Sequence, residues 1–371
     1  LGNGSIVEVV LAEQTDVLNV GFEQFDFMQD FFTAAGIRIF GEIQDPVTGE
    51  FLRYSTPSED FEPEYVAVSP DSSTAYDVLQ ENNAMAVIDL NTGELIDLFP
   101  LGFKDHSLPG FGFDASNSDG GINIQNWPTY GMFQPDAIAA FDTLGETFII
   151  SANEGDSRDY DGFSEEVRVE DLVLDPTAYP NAAELQKIEN LGRLKTTTST
   201  GDYDEDGDID QIFSYGARSF SIWDAYGNLI FDSGDQFERI MAAYNAQNFN
   251  STNDENGSFD NRSDDKGPEP EAVTIGEING RKYAFIGFER NGGIIVYDVT
   301  YPFEPMFITF INNRDFTVEI AGDTPTEAEL DAMNDLGPEG IIFISAEESP
   351  NGKPMIVSAN EVSGNTSFFA F

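Results

Sequence analysis

The stretch GDYDEDGDID, residues 201–210, has a carboxylate at every second position and one glycine among them. Such a density of like charge is unfavourable in a loop unless a cation neutralises it. Ca²⁺ binds about six to eight oxygen atoms, and the spacing D-x-D-x-D-G lets a tight loop turn alternate carboxylates inward. The predicted calcium ligands are Asp202, Asp204, Asp206, Asp208 and Asp210.

Two features separate this stretch from an EF-hand. Phe213 occupies the position of the bidentate glutamate, and the strand-like run QIFSYGARSFSIWD follows where an EF-hand has its second helix. The pattern therefore predicts an isolated calcium loop between strands. A solvated acidic hairpin tip is the alternative interpretation.

Basic residues form a second group of candidates because they are scarce and lie among acids. The chain has 17 Lys and Arg residues against 68 Asp and Glu residues, yet Arg158, Arg262 and Lys266 lie in acid-rich loops. Basic groups in such loops either neutralise buried carboxylates or bind an anionic ligand that is held together with a metal ion. Structural ion pairing explains each residue alone equally well.

Composition excludes several common kinds of catalytic site. The chain has no cysteine and one histidine, His106, which is interpreted either as a polar loop residue or as a metal ligand or general acid. A zinc site with nitrogen and sulfur ligands and a Cys-His nucleophile need residues that the chain lacks. G-x-S-x-G, P-loop and dinucleotide motifs are absent from the sequence. The remaining chemistry is that of carboxylates with a hard metal ion.

The acids with the most regular spacing belong to a sequence repeat. A proline followed by an acid opens a short apolar strand four times, and a later strand of each repeat ends in a second acid. The pairs are Glu64 with Glu81, Asp136 with Glu154, Glu271 with Glu289, and Glu339 with Glu361. This order is typical of a propeller blade, whose first strand lines the central channel. Capping of turns at the channel mouth explains the spacing without any chemistry.

The repeat predicts an all-β fold, a single β-propeller domain over residues 1–371 with about five blades. The segments that are predicted to form an extra blade with the calcium loop are 192–200, 208–224 and 227–234. Helical periodicity is restricted to short insertions, which lie at 23–36, 180–192, 237–247 and 325–337.

Charge and hydropathy limit the partners of the chain. A formal net charge of −51 excludes nonspecific nucleic-acid binding and docking on anionic lipid. The same charge suits a calcium-rich exterior and a high-salt or marine setting, where ions screen the repulsion. Apolar runs are all shorter than the roughly 18 residues that a membrane-spanning helix needs, so we expect no membrane span.

Longer motifs resemble a known family. The resemblance is to the choice-of-anchor I family and covers nearly the whole chain, in motifs such as EPEYVAVSPD, QNWPTYGMFQPDAI, SANEGDSRDYDGFSEEVR, NRSDDKGPEPE and LGPEGIIFISAEESPNG. That family includes mesenchyme-specific cell-surface glycoproteins and bacterial proteins described as alkaline phosphatase-like. The resemblance implies a secreted or surface-anchored β-propeller that binds Ca²⁺.

The resemblance also implies a metal-dependent phosphoesterase that acts on a small phosphorylated substrate, with a second metal in the channel. The residues to which this hypothesis assigns catalysis are Asp136, Glu154, Arg158, Arg262, Lys266, Glu271, Glu289 and Glu339. The alternative is a noncatalytic calcium-binding surface, matrix or biomineral-associated protein. A propeller that serves as an adhesion module is a third interpretation.

The N-terminal stretch differs from the family pattern. Relatives carry further blades upstream, and GSIVEVVL at 4–11 is predicted to end a blade. We therefore expect this chain to lack N-terminal blades of its relatives and to form part of a ring of about seven blades. Another chain, or further residues of a longer product, would complete that ring.

Overall fold

A computed structural model of the protein describes residues 18–45, 47–160, 163–320 and 324–371. Over these ranges the fold is all-β, as predicted, with short helices between strands. The predicted blade end at 4–11 lies outside the described residues. Within the described ranges, the helices are too short or too polar to cross a membrane.

The strands are numbered in chain order. They are β1 (Glu42–Gln44), β2 (Phe51–Tyr54), β3 (Pro63–Val68), β4 (Thr74–Leu79), β5 (Ala84–Asp89), β6 (Glu94–Pro100), β7 (Phe103–Asp105), β8 (Tyr130–Met132), β9 (Ala137–Thr143), β10 (Glu146–Asn153), β11 (Asp159–Tyr160), β12 (Phe163–Ser164), β13 (Glu166–Arg168), β14 (Lys195–Thr197), β15 (Phe213–Ser214), β16 (Ser219–Asp224), β17 (Leu229–Asp232), β18 (Pro270–Ile278), β19 (Arg281–Phe288), β20 (Ile294–Asp298), β21 (Met306–Ile311), β22 (Pro338–Ile344), β23 (Met355–Asn360) and β24 (Asn365–Ala370).

The helices lie between these strands or before them. The α helices are α1 (Gln29–Ala35), α2 (Pro57–Asp60), α3 (Ala182–Leu185), α4 (Gln236–Asn245) and α5 (Glu327–Ala332), and the 3₁₀ helices are Glu23–Met28, Val169–Asp171 and Ala246–Asn248. Helix therefore forms in all four predicted insertions, although the segment 180–192 contains only the short α3.

Most strands belong to four antiparallel sheets, in which consecutive strands pair except that β10 pairs with β16. Their orders are β3-β4-β5-β6, β9-β10-β16-β17, β18-β19-β20-β21 and β22-β23-β24. Each sheet begins at one of the four proline-acid repeats, so the predicted strand openers are confirmed. The first strands also lie together: β3 contacts β9, β9 contacts β18, and β18 contacts β22. This arrangement brings the opening acids of different sheets into one region.

The described residues do not form the predicted extra blade. Strands β16 and β17 instead complete the sheet that β9 and β10 begin, with Ser219 opposite Asn153 and Asp224 opposite Phe148. The residues between β10 and β16 are therefore an insertion into one sheet, and they carry the predicted calcium loop. The sequence pattern missed this because the partner of β10 is distant along the chain. The number of about five blades stays a prediction.

Apolar clusters fill the space between neighbouring sheets. The cluster between the first and second sheets includes Val78, Met85, Ile149 and Trp223. The cluster between the second and third includes Ile150, Phe220, Ile286 and Tyr297, and the cluster between the third and fourth includes Phe285, Val296, Ile341 and Ile356. Burial of each such side chain contributes about 1.5–3 kcal/mol. This packing fixes the ends of the first strands, where the candidate site lies.

Candidate functional site

Three predicted carboxylates converge where the second and third sheets meet. Asp136 lies immediately before β9, Glu154 immediately after β10, and Glu271 within β18. One oxygen atom of each carboxylate lies within 4.8 Å of the other two, and Glu154 and Glu271 are buried. These three side chains can bind one cation with oxygen ligands.

One oxygen of Glu271 has no hydrogen-bond partner. The residue is 5% exposed, and its Oε2 is buried without a partner among the described residues. Burial, followed by the nearby Glu154 and Asp136, raises the pKa of Glu271 far above its ordinary range. Burial also raises the pKa of Glu154 to about 8 and that of Asp136 to about 7. A cation bound here would offset the cost of burying these carboxylates.

Two further repeat acids lie around this cluster. Glu64 in β3 and Glu339 in β22 are exposed, and both raise the pKa of Asp136 after the effect of its burial. Partial burial and the neighbouring Glu361 raise the pKa of Glu339 itself. The four acids that open the four sheets therefore face one region.

Lys266 links the cluster to a group of buried ion pairs. Its ammonium donates to Oε1 of Glu154 and lies 3.2 Å from Oε2 of Glu269. The other oxygen of Glu154 accepts a hydrogen bond of 2.9 Å from Nε2 of Gln80. Lys266 therefore neutralises Glu154, whereas Glu271 has no ion pair with any described residue.

Glu269 is fully buried and holds the basic residues in place. Its carboxylate accepts hydrogen bonds from Nη2 of Arg262 at 2.6 Å and from Nε of Arg290 at 3.0 Å. Burial alone would raise the pKa of Glu269, but Lys266, Arg262 and Arg290 together lower it. Glu269 is therefore a charged anchor and has little capacity left for a metal ion.

Glu289 belongs to the same group of ion pairs. Its Oε1 accepts a hydrogen bond of 2.8 Å from Nδ2 of Asn253 and lies 3.0 Å from Nη1 of Arg290. Glu154, Glu269 and Glu289 also have oxygens within 4.8 Å of one another. The ammonium of Lys266 already supplies positive charge to this second group, so the first cluster is the better cation site.

A cavity of about 310 Å³ opens beside Lys266. Four basic side chains line it, namely Lys195, Arg262, Lys266 and Arg290. They are four of only 17 Lys and Arg residues in the chain, and four acids, Asp156, Asp159, Glu166 and Asp265, line the same pocket. Hydrogen-bond donors of this kind suit a small anionic ligand.

Arg158 lies apart from the other predicted catalytic residues. Its Nη1 donates to Oδ1 of Asp60 at 2.7 Å, and its Nε lies 3.5 Å from Oε2 of Glu62. The guanidinium carbon is 4.7 Å from the ring centroid of Phe40. These contacts tie the loop after β10 to α2, so the position of Arg158 favours a structural role.

Two glycines fix the backbone at Glu154. Gly155 and Gly216 have φ angles of 91° and 67°, which favour glycine, and a β carbon on either residue would overlap the facing backbone. The N–H of Gly155 donates to the carbonyl of Gln134 at 3.0 Å, and Nε2 of Gln134 donates to the carbonyl of Asp156 at 2.7 Å. These contacts hold the segment that carries Asp136 against Glu154.

The five predicted calcium ligands divide into two groups. Asp202, Asp204 and Asp206 have oxygens within 4.8 Å of one another. The carboxylate of Asp202 accepts the N–H groups of Asp206 at 3.2 Å and Gly207 at 3.0 Å. Gly207 has a φ of 97°, so it forms the sharp turn that the sequence pattern requires.

The other two aspartates face a residue that the sequence analysis missed. Asp208 and Asp210 form their group with Asp175, which a bridge between Leu174 and Ile209 brings to the loop. Oδ1 of Asp208 has no hydrogen-bond partner among the described residues. The loop lies in the insertion of the second sheet, away from the carboxylate cluster at the first strands.

His106 lies just after β7, and it packs against Phe113, which shares an apolar cluster with residues of that insertion. It is 2% exposed, its Nδ1 lies 2.6 Å from the carbonyl oxygen of Phe111, and its ring packs edge-on against Phe113. Burial lowers the pKa of His106 well below its usual value. These contacts favour a structural role over a ligand or acid role.

Several residues of the site were not predicted. They are Gln80, Lys195, Asn253 and Glu269 at the ion pairs and Asp175 at the calcium loop. Glu269 carried a signal, because it precedes Pro270 in the same proline-acid repeat that Glu271 completes. The other four residues had no recognisable sequence signal, because polar residues of their type are common in loops.

Two animal proteins are similar in sequence to part of this chain. The mesenchyme-specific cell surface glycoprotein of Strongylocentrotus purpuratus is 28% identical over 293 residues, which are 70% of this chain and 37% of that protein. Gigasin-3a of Magallana gigas is 28% identical over 188 residues, which are 48% of this chain and 64% of that protein. The matches thus cover less than two thirds of either relative.

A solved structure from Desulfotomaculum acetoxidans DSM 771, of a functionally unknown protein, aligns with a TM-score of 0.30 and 12% identity over 86% of this chain and 58% of its own. That TM-score is too low to support an inference about architecture. The sequence profile of the choice-of-anchor I domain matches residues 2–302. The chain therefore belongs to the choice-of-anchor I family.

Proposed function

We propose that this protein is an extracellular surface protein that binds divalent cations, Ca²⁺ in particular, at the carboxylates where its sheets meet. We also propose that its four large sheets are blades of a β-propeller, with the carboxylates at one mouth of the channel. Adjacent first strands and the meander order of the sheets support that architecture.

One observation gives the main support for the proposed cation site. Asp136, Glu154 and Glu271 share a space in which the Oε2 atom of Glu271 is buried and has no hydrogen-bond partner in the described part of the chain. Protein interiors rarely leave a carboxylate oxygen in that state, because an unpaired buried polar group is costly. A hard divalent cation with oxygen ligands fits the composition of the site, and the chain lacks the cysteines of a softer metal site.

The extracellular location is supported by the relatives. One of them is named a cell surface glycoprotein, and the family to which the chain belongs is named for its anchor. The net charge of −51 is tolerable where ions screen it, so a marine or other high-salt exterior is part of the proposal. The loop at 201–210, whose aspartates form two groups with Asp175, is proposed to bind further Ca²⁺.

Calorimetric titration of Ca²⁺ into EDTA-treated and dialysed protein tests the cluster. Glu271→Gln keeps the shape of the side chain, and it should remove one bound cation per chain or weaken its binding at least about tenfold. Glu277→Gln, an exposed change in the same strand, is the control and should bind as the wild type does. Equal stoichiometry and affinity in the two variants would refute the site.

A metal-dependent phosphoesterase is the second candidate function. The pocket of about 310 Å³ favours it, because four basic side chains line a cavity that shares Lys266 with the carboxylate cluster. A cation in the cluster would polarise a phosphoryl group in the pocket. Hydrolysis would form a bond from water to phosphorus, break the bond to the alcohol oxygen, and leave the proton on the alcohol.

Hydrolysis of p-nitrophenyl phosphate at alkaline pH tests this candidate, with Ca²⁺ or with EDTA. Turnover that needs Ca²⁺ and is lost in Arg262→Ala and Glu271→Ala would support it. Arg239→Ala, an exposed change on α4, is the control and should keep full turnover. Absence of turnover in protein that binds Ca²⁺ at the cluster would leave the noncatalytic surface protein as the function.

A further inference from the structure

We infer that the pocket beside Lys266 binds a small dianionic oxyanion of the phosphoryl class. A divalent cation must first bind Glu154 and displace Lys266 from its ion pair with that carboxylate. This inference rests on the proposed cation site. It adds a second ligand and a coupling between the two sites, and it holds whether or not the bound group is hydrolysed.

Lys266 belongs to both sites. Its ammonium donates to Glu154, one of the three proposed cation ligands, and the same side chain lines the pocket. Lys266 is 9% exposed, so its position is set by these partners and not by solvent. A cation that binds Glu154 weakens the ion pair with Lys266 by charge repulsion. The ammonium can then donate to a ligand in the pocket.

Local charge decides the order of binding. The carboxylates in ion pairs with the four pocket cations are Glu154, Glu166, Asp265, Glu269 and Glu289. Asp156 and Asp159 also line the pocket, so seven negative charges stand against four positive charges and disfavour a dianion. A divalent cation at Glu154 lowers this excess from three negative charges to one and so weakens the repulsion of a dianion.

The form of the donors indicates the class of anion. Arg262 and Arg290 present guanidinium groups to the cavity, and Lys195 and Lys266 present ammonium groups. Guanidinium forks match oxyanions with two or more terminal oxygens, and lysine adds point charge. Four such groups around a partly open pocket of about 310 Å³ suit a compact tetrahedral head with a small substituent.

Phenylphosphonate is a suitable probe, because it carries this head group and has no ester bond to hydrolyse. It should be titrated by calorimetry into EDTA-treated protein and into protein saturated with CaCl₂. We expect at least about fivefold tighter binding in Ca²⁺, and the same factor of tightening for Ca²⁺ when phenylphosphonate is present, because coupling is reciprocal. Equal phenylphosphonate affinity in the two states would overturn the inference.

Two variants locate the effect. Lys195→Gln changes the pocket without touching the cluster, so it should weaken phenylphosphonate binding in Ca²⁺ at least about fivefold and leave Ca²⁺ affinity unchanged. Lys266→Gln should bind Ca²⁺ at least as tightly as the wild type and show no coupling. Lys187→Gln, an exposed change in a surface ion pair, is the control. Unchanged phenylphosphonate binding in Lys195→Gln would refute the location.

Failure of this inference can be told from failure of the proposed function. Titration of Ca²⁺ alone into the wild type and Glu271→Gln tests only the cation site. If Glu271→Gln loses a cation but the affinity for phenylphosphonate is the same with and without Ca²⁺, the coupling is wrong and the proposed function stands. If Glu271→Gln loses no cation, both are overturned.

Discussion

The α carbon of Gly216 lies so close to the carbonyl oxygen of Glu154 that no β carbon fits between them. Gly216→Ala must therefore move the strand end that carries a proposed cation ligand, and it must also hold alanine at a φ of 67°. We expect the free energy of unfolding to fall by about 2–4 kcal/mol. Urea denaturation with EDTA present measures this change without a contribution from bound metal.

Gly352→Ala is the matched control for that substitution. Gly352 has a φ of 70°, but a β carbon there would meet no atom within 4 Å. Its cost is limited to the backbone conformation, about 1–2 kcal/mol. Equal losses in the two variants would show that contact with Glu154 does not constrain Gly216.

Terbium luminescence should report on the loop at 201–210. Tyr203 lies between two proposed ligands and is 60% exposed, so it can transfer excitation to a bound lanthanide that replaces Ca²⁺. Asp202→Asn should weaken Tb³⁺ binding at least about tenfold, because it removes a charged oxygen ligand. Tyr203→Phe should reduce the emission and leave the affinity for Ca²⁺ unchanged.

Asp97→Asn tests whether the Tb³⁺ signal belongs to this loop. Asp97 is an exposed acid in β6 and belongs to neither group of aspartates. The variant should keep both the emission and the affinity of the wild type. An equal loss in Asp97→Asn and Asp202→Asn would assign the signal to diffuse surface charge.

Because His106 is buried, we expect the protein to lose stability in acid. Burial first, and then the positive charges of Lys104 and Arg218, keep its pKa well below 6.5 in the folded state. Between the folded pKa and 6.5 the unfolded chain binds more protons, so stability falls as the pH falls below 6.5. The contribution of His106 to this loss is at most about 2 kcal/mol at pH 5, the limit for an imidazole that stays neutral in the fold.

Urea denaturation at pH 7.5 and pH 5 in EDTA, on the wild type and His106→Gln, measures this contribution. Glutamine cannot become charged, so the variant should lose less stability in acid than the wild type, by up to about 2 kcal/mol. Buried carboxylates titrate in both proteins, and their effect cancels in the difference. Parallel pH profiles would contradict a neutral His106 in the fold.

We expect Arg218 to stabilise the fold through contacts that lysine, although also basic, cannot make. Nη1 donates to Glu238 and to the carbonyl of Asp114, and Nη2 donates to the carbonyls of Ser263 and Asp265, all between 2.7 and 2.8 Å. Lysine cannot reproduce this planar set of donors. We expect Arg218→Lys to lower the free energy of unfolding by about 2–4 kcal/mol.

Arg239→Lys provides the comparison for Arg218→Lys. Arg239 is exposed and pairs with Asp235, a buried residue one turn away. Its replacement should change stability by less than about 0.5 kcal/mol. If urea denaturation gives similar values for both variants, the buried contacts of Arg218 contribute little.

The sequence predicted the strands well because their signals are local. The proline-acid openers mark β3, β9, β18 and β22, and helical periodicity marks α1, α4 and α5. The assignment of β16 and β17 to a separate blade was wrong, because the insertion before them hides their pairing with β10. The position of Arg158 at Asp60 was likewise invisible, since Asp60 lies far away along the chain.

The sequence by itself determined the kind of chemistry that this protein can do. Its acids are many, its basic residues are few, and cysteine is absent, so oxygen ligands and hard cations are the available chemistry. Only the tertiary structure decided which acids meet. Asp136, Glu154 and Glu271 share a space because β9, β10 and β18 pack together, and Glu154 alone of the three takes Lys266 as a partner. Sequence spacing cannot show this, because packing between sheets sets those distances.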